Sequence, residues 1–441
     1  MNLLFFTPAA SSSAIGRVTQ LVGRELKARG HTVTMVRTED YAFIGTPPRQ
    51  FGAELVRWDD TKRVFRVARD ADAIVYQIGD SFPFHRGSVE WLPSLPGIVC
   101  LHDYFLGGLF SGWAGARWMM AKAILQSCYG EEVAASYFAY ENAVDFVEGT
   151  RERAPMTEWI AAMATGVITH SSWDIQRILR ACPGPVEVIP LAYDKPNASP
   201  TVGSCSGPGP VDGSAGRDDM LILTVGRVNA NKRVDSVLRA IGTAPQLQHT
   251  AILRLVGHIE SDVQARLSAL ARSLRVRLLI SGEVDDVTLA HAIERADVVC
   301  CLRFPALEAA SASTIEAMLF GKAVIVTDTG FYRELPDDCV CKVAPNHEVS
   351  DLQDKLVFLA QNPAERTALG NRAAQWAAAT FSPRLYAERL VDFALRAARA
   401  APVIEACRHF ANTLVGWGAS QGGLPMQDTI APLRIFEQSC R

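Results

Sequence analysis

Apolar residues in this chain come in short dense runs. Each run is followed by a loop and then by a stretch of helical periodicity. "NLLFF" (2–6) precedes "GRVTQLVGRELKARG" (16–30), where Val18, Leu21, Val22 and Leu26 recur at helical spacing and Gly30 stops the run. Further runs are "TVTMV" (32–36), "AIVYQI" (73–78), "GIVCL" (97–101), "GVITH" (166–170) and "VEVIP" (186–190). Near-continuous apolar strands separated by helices predict a parallel sheet covered on both faces. Residues 104–160 are long for a strand-to-strand connection and rich in aromatic and small residues, which predicts an insertion of two or more helices.

The pattern breaks after Lys195. Residues 196–217, "PNASPTVGSCSGPGPVDGSAGR", have almost nothing to bury and read as a linker. It restarts with "MLILTVG" (220–226), "AILRLVG" (251–257), "VRLLISG" (276–282), "VVCCL" (298–302), "AVIVTD" (323–328) and "VCKV" (340–343). The chain is therefore expected to be α/β, with two doubly wound domains at 1–195 and 218–382. A ligand is expected at the carboxyl ends of their strands, in the cleft between them. Residues 383–441 open with the helical "RLYAERLVDFALRAARA" and then lose regularity, so they read as a C-terminal helical extension.

Composition narrows the classes. A chain of 441 residues with 49% hydrophobic and 21% charged residues has ordinary globular cores. A net charge of −3 gives no field that favours nucleic acid. The ten cysteines make no C-x-x-C pair. Cys300 and Cys301 sit in an apolar run, and Cys339 and Cys341 alternate, so the set reads as small buried hydrophobes in a reducing compartment. "MNLLFFTPAASSS" lacks the basic n-region and long apolar core of a signal peptide, and no apolar run reaches the ~18–20 residues of a membrane span. The expected location is cytoplasmic, with the inner face of the membrane left open. "GLFSGWAGARWMMAKAIL" (108–125) interleaves Trp113, Trp118 and Met119 with Arg117 and Lys122. It reads either as a peripheral membrane contact or as an ordinary helix with buried tryptophans.

Candidate chemistry sits at strand ends. In "TVGRVNANKRVD" (224–235), Gly226 permits a tight turn, and Arg227 and Lys232 flank the start of the next helix, near Arg233. Two cations at a helix N-terminus make a diphosphate site; alternatively, both are solvated surface charges. In "FPALEAASASTIEAMLFGK" (304–322), Glu308 lies in a loop. Glu316 completes a Ser313-Thr-Ile-Glu capping box, which gives it a structural reading beside a binding one. In the first domain, His102 and Asp103 follow "IVCL", with Asp80 and His85 as weaker candidates on the acceptor side. Asp70-Ala-Asp72 precedes a strand at its amino end, the wrong end for a ligand, and no metal is expected.

G-R-x4-K at 226–232, followed by E-x7-E at 308–316, resembles the retaining glycosyltransferases of GT-B architecture, family GT4. The likeness extends to "GEVDDVTLAHAIERADVVCCL" (282–302), "EAMLFGKAVIVTDTGFYREL" (316–335) and "VIPLAYD" (188–194). It implies two Rossmann-like domains facing across a cleft, with a nucleoside-diphosphate sugar, UDP- or GDP-linked, as donor. It implies that Arg227 and Lys232 hold the diphosphate and that Glu316 bonds the ribose. Glu308 would bond the transferred sugar, and the amides of Ala309, Ala310, Ser311, Ala312 and Ser313 would face the sugar and β-phosphate. His102 would contact the sugar, Asp103 would orient it or meet the acceptor, and Gly16 would belong to the donor-side loop. The acceptor would be a glycan or lipid-linked hydroxyl in polysaccharide or glycolipid synthesis. The departure is Ala-Ala-Ser-Ala-Ser at 309–313, where the family more often has glycines. A sugar-nucleotide epimerase of the same architecture and a non-catalytic partner subunit stand as alternatives. A nicotinamide-dependent dehydrogenase lacks its G-x-G-x-x-G.

Overall fold

The computed structural model describes residues 1–195 and 219–416. The expected linker, 196–217, and the end of the chain, from 417, lie outside the described residues. Two compact units emerge. One comprises Met1–Thr169, Asp174–Ile189 and the chain from Ala387; the other comprises His170–Trp173 and Pro190–Tyr386.

The first unit carries a seven-stranded sheet. Its strands are β1 (Asn2–Thr7), β2 (Thr32–Arg37), β3 (Glu54–Arg57), β4 (Ala73–Ile78), β5 (Ile98–Leu101), β6 (Gly166–Thr169) and β7 (Val186–Val188). Their order is β3-β2-β1-β4-β5-β6-β7, with every pairing parallel. The order reverses between β1 and β4, which places a crevice at their carboxyl ends. β3 has no counterpart among the apolar runs. It is an edge strand in which only Val56 is fully buried, so its pairing with β2 leaves little hydrophobic signature.

The expected first helix is Ala14–Ala28, and Val18, Leu21, Val22 and Leu26 are all buried. The insertion after β5 contains helices at Gly107–Ala114, Trp118–Tyr129, Glu131–Ser136, Ala143–Thr150 and Thr157–Met163. They close around an aromatic nucleus, with Phe110 ring centroids 5.0 Å from Trp159 and 5.7 Å from Tyr137. A 34-residue helix, Pro383–Gly416, begins in the second unit and continues in the first. There Phe393 is buried, and Arg389 bonds Glu187 of β7 at 2.6 Å.

The second unit carries β8 (Met220–Val225), β9 (Ala251–Val256), β10 (Arg277–Ile280), β11 (Val298–Cys301), β12 (Ala323–Thr327) and β13 (Cys341–Val343). Their order is β10-β9-β8-β11-β12-β13, again all parallel. Its core gathers Ile222, Leu253, Leu255, Val298 and Ile325 from the strands against Val237 and Ile241 of a covering helix. The switch point lies between β8 and β11, the strands that lead into the two sequence motifs.

One expectation is corrected. Cys128 and Cys407 are exposed thiols, not buried ones, because each sits on the outer side of a surface helix. Asp70 caps the end of helix Thr61–Arg69, and Asp72 accepts from Asn2 N at 2.7 Å. This pair therefore locks the amino ends of β1 and β4 together. No helix among the described residues is long and apolar enough to cross a membrane.

Candidate active site

In the second unit β8 ends at Gly226, whose φ of +90° is left-handed backbone that favours glycine. Glycine is also needed for space: a Cβ there would lie 2.7 Å from Lys232 Nζ. The chain makes one tight 3-10 turn, Ala230–Lys232, and starts the helix Val234–Thr243 after Arg233.

The two cations of this loop are unlike. Arg227 is 69% exposed and pairs with Glu260 at 2.8 Å, an oxygen it shares with His258 Nε2 at 3.1 Å. Lys232 is only 6% exposed, and its Nζ donates to the Val225 carbonyl. It is not the solvated surface charge of the alternative reading. Burial, with help from neighbouring Arg303, pushes its pKa down to about 7.

The loop after β11 packs onto this turn, with Phe304 N donating to Asn231 O at 2.9 Å. That bond brings the two sequence motifs side by side. Arg303, at the strand's exit, is buried. Its Nε meets Glu308 Oε1 at 2.8 Å, and the Tyr332 hydroxyl donates to the same oxygen at 2.6 Å. Burial opposes the charge on Arg303 most strongly, yet the neighbouring Tyr332 and Glu308 hold its pKa above the usual arginine value. Burial and then Glu308 push the Tyr332 phenol well up, so it remains a neutral donor.

Helix Ala312–Leu319 begins one turn further on, and here the capping box is corrected. The N-cap is Ser311, so Ser313 already lies inside the helix, and Glu316 is its fifth residue, too far along to bond back to the cap. Packing against β11 and β12 sets the start earlier than the local motif suggests. Glu316 is buried, 3.5 Å from the Tyr193 hydroxyl. Ala309, Ala310 and Ser311 are buried as well. The Thr314 hydroxyl donates to Ser311 Oγ at 3.1 Å, and Ser313 Oγ lies 3.2 Å from the same atom. The first amides of the helix have no intrahelical acceptor and are oriented for an anion.

In the first unit the candidates divide. Gly16 lies in the first turn of helix Ala14–Ala28, its N–H bonded to Ser13 Oγ at 3.0 Å. A Cβ there would approach Pro8 O to 2.6 Å, so the helix can pack this closely only with glycine. His102 is buried at the end of β5, with Nε2 2.6 Å from Gln77 Oε1. Asp103 accepts from Asp80 N at 2.7 Å.

Asp80 and His85 both make bonds within the first unit. Asp80 Oδ1 accepts from Leu109 N at 2.9 Å, at the start of helix Gly107–Ala114. Burial and the nearby Asp103 carboxylate raise its pKa well above the ordinary range. His85 is buried and accepts from Gly79 N at 3.1 Å, and burial drives its pKa down to about 3, so it stays neutral. Both brace the loop after β4. The 108–125 segment also divides: Trp113 is buried, whereas Trp118, Met119 and Met120 are exposed.

Arg303 and Tyr332 escaped the sequence reading. Arg303 had one usable signal, a charge set immediately after the apolar run of β11. Tyr332 lies 24 residues from Glu308, and only tertiary packing joins them. Among the described residues no cluster of three or more His, Cys, Asp or Glu side chains is arranged for a metal ion.

Residues 213–376 match the model of the family of glycosyl transferases group 1. The segment contains both motifs, Arg303 and Tyr332. No curated protein matches the chain by sequence. Among solved structures, sucrose-phosphate synthase from Thermosynechococcus elongatus superposes with a TM-score of 0.61 at 16% identity, over 89% of this chain and 98% of that one. Anabaena HepE in complex with UDP and glucose gives 0.58 at 14% identity, over 89% and 98%. WaaG, a glycosyltransferase involved in lipopolysaccharide biosynthesis, gives 0.56 at 16%, over 88% and 99%. At these identities the likeness is one of fold, the paired Rossmann-like units of the GT-B architecture.

Proposed function

We propose that the protein is a retaining glycosyltransferase of the hexosyltransferase type. It moves a sugar from a nucleoside-diphosphate donor to a hydroxyl of a glycan or lipid-linked acceptor. The observation that carries this reading is the meeting of the two motifs in the second unit. The Phe304–Asn231 bond sets Lys232 beside Arg303 and Glu308 at the β8/β11 switch point, next to a helix N-terminus. The group 1 family match over the same residues supports it.

In this reading Lys232 and Arg227 bear on the diphosphate, where negative charge grows as the glycosidic bond breaks. Lys232 exchanges the Val225 carbonyl for phosphate oxygen, and Arg227 exchanges Glu260. Glu316 takes the ribose hydroxyls, and Glu308 takes hydroxyls of the sugar. Glu308 is not assigned as a nucleophile: its Oε1 is held by Arg303 and Tyr332, and the paired-carboxylate arrangement of glycosidases needs two groups flanking one bond. Departure of the diphosphate on the face where the acceptor arrives, with a phosphate oxygen taking the acceptor's proton, fits this set without a protein base.

A donor screen by thermal shift tests the reading. A saturating donor raises the melting temperature as RT ln(1 + [L]/Kd) predicts. UDP-linked sugars come first, since UDP is the nucleotide in the Anabaena HepE complex, and GDP-linked sugars second. No shift with any of them sinks the assignment.

Two further outcomes follow from the geometry. Glu316→Gln should leave the melting temperature little changed, since no cap depends on it, yet weaken the nucleoside diphosphate about tenfold through loss of a charge-assisted bond. Unchanged affinity would return Glu316 to a structural role.

The second concerns pH. Lys232 loses its proton in the free protein above about 7, whereas an adjacent diphosphate favours the ammonium. The complex then holds a proton that the free protein has released. Affinity for a sugar nucleotide should therefore be flat below pH 7 and fall above it, by up to about tenfold per unit. Competition titrations between pH 6.5 and 8.5 read this directly. A flat profile removes Lys232 from the diphosphate.

A further inference from the structure

This inference rests on the donor-site reading above. We infer that Tyr332 and Arg303 are positioning residues that fix Glu308 for the donor sugar. Tyr332 thereby sets sugar, rather than nucleotide, affinity.

Two observations carry it. First, the bonds from Arg303 Nε, at 2.8 Å, and the Tyr332 hydroxyl, at 2.6 Å, both fall on Oε1 of Glu308. They approach from different elements, the exit of β11 and the short helix Gly330–Arg333, so together they hold Oε1 from two sides. Second, Tyr332 is fully buried, so its bond to Glu308 is shielded from solvent.

Neither group is a catalytic residue in this view. Arg303 and Tyr332 act through Glu308, and their removal should be felt at the sugar and not at the nucleotide. The test uses the full chain with four probes, UDP, UDP-glucose, GDP and GDP-mannose, titrated calorimetrically into wild type, Tyr332→Phe, Glu308→Gln and the double variant. For the nucleotide that binds, Tyr332→Phe should lower the ratio of sugar-nucleotide to nucleoside-diphosphate affinity about tenfold and leave the nucleoside diphosphate within about twofold. In the Glu308→Gln background it should have no further effect, because its route to the ligand is gone.

An unchanged ratio overturns the inference, as do effects of the two substitutions that multiply. Either result makes Tyr332 a packing residue. Should Tyr332→Phe fail to fold, Arg303→Lys keeps the charge, loses the Nε–H donor and must lower the same ratio. Failure of UDP and GDP alike to bind wild type is a separate result, which removes the donor-site reading and this inference with it.

Discussion

Lys232→Ala should cut turnover by about 100- to 1000-fold while the protein keeps its fold. Turnover is read as nucleoside diphosphate released from the donor. The magnitude is that of removing one preorganised group aimed at developing charge. It is large here because Lys232 is buried, where a charge interacts more strongly than at the surface. Arg227 is the useful contrast. It is exposed and already engaged with Glu260, so solvent screens it, and Arg227→Ala should cost less. Lys232→Arg should restore little, since a buried site holding a compact ammonium must then take a larger planar guanidinium. Equal turnover in wild type and Lys232→Ala would remove the diphosphate assignment.

Arg303→Met should lower stability by about 3–5 kcal/mol, the usual result of removing one partner from a buried ion pair. Both side chains are largely buried, and the substitution leaves the Glu308 carboxylate with Tyr332 alone among the partners identified. By calorimetry the transition of the second unit should move down on the order of 10 °C. Adding Glu308→Gln should restore most of the loss, because the uncompensated charge is then gone. A midpoint that does not move in Arg303→Met would mean that solvent already screens the pair.

The fold was largely readable from the sequence because a parallel sheet buried on both faces writes itself as apolar runs. All but one of the thirteen strands among the described residues coincide with such runs. The exception, Glu54–Arg57, is an edge strand with one fully buried residue. The site was readable only in part. G-R-x4-K and E-x7-E mark the two loops at the β8/β11 switch point, and their spacing is local. What the sequence did not disclose depends on tertiary packing. Arg303 and Tyr332 meet Glu308 from separate elements. Lys232 is buried rather than solvated because the Gly226 backbone leaves room for it. The Ser313–Glu316 box satisfied a local rule, but the helix starts at Ala312, so the rule did not apply. Asp80 and His85 also bond Leu109 N and Gly79 N, contacts that residue spacing does not disclose.

The most direct test of the donor site is a calorimetric titration of UDP and GDP into the wild-type protein at pH 8, in two buffers of different ionisation enthalpy. Lys232, held at about 7 when free, is then mostly neutral and must regain its proton against the diphosphate. The predicted result is one nucleotide binding at a single site with uptake of about one proton, and loss of that uptake in Lys232→Ala. Binding of neither nucleotide, or binding with the same proton balance in both proteins, would contradict it.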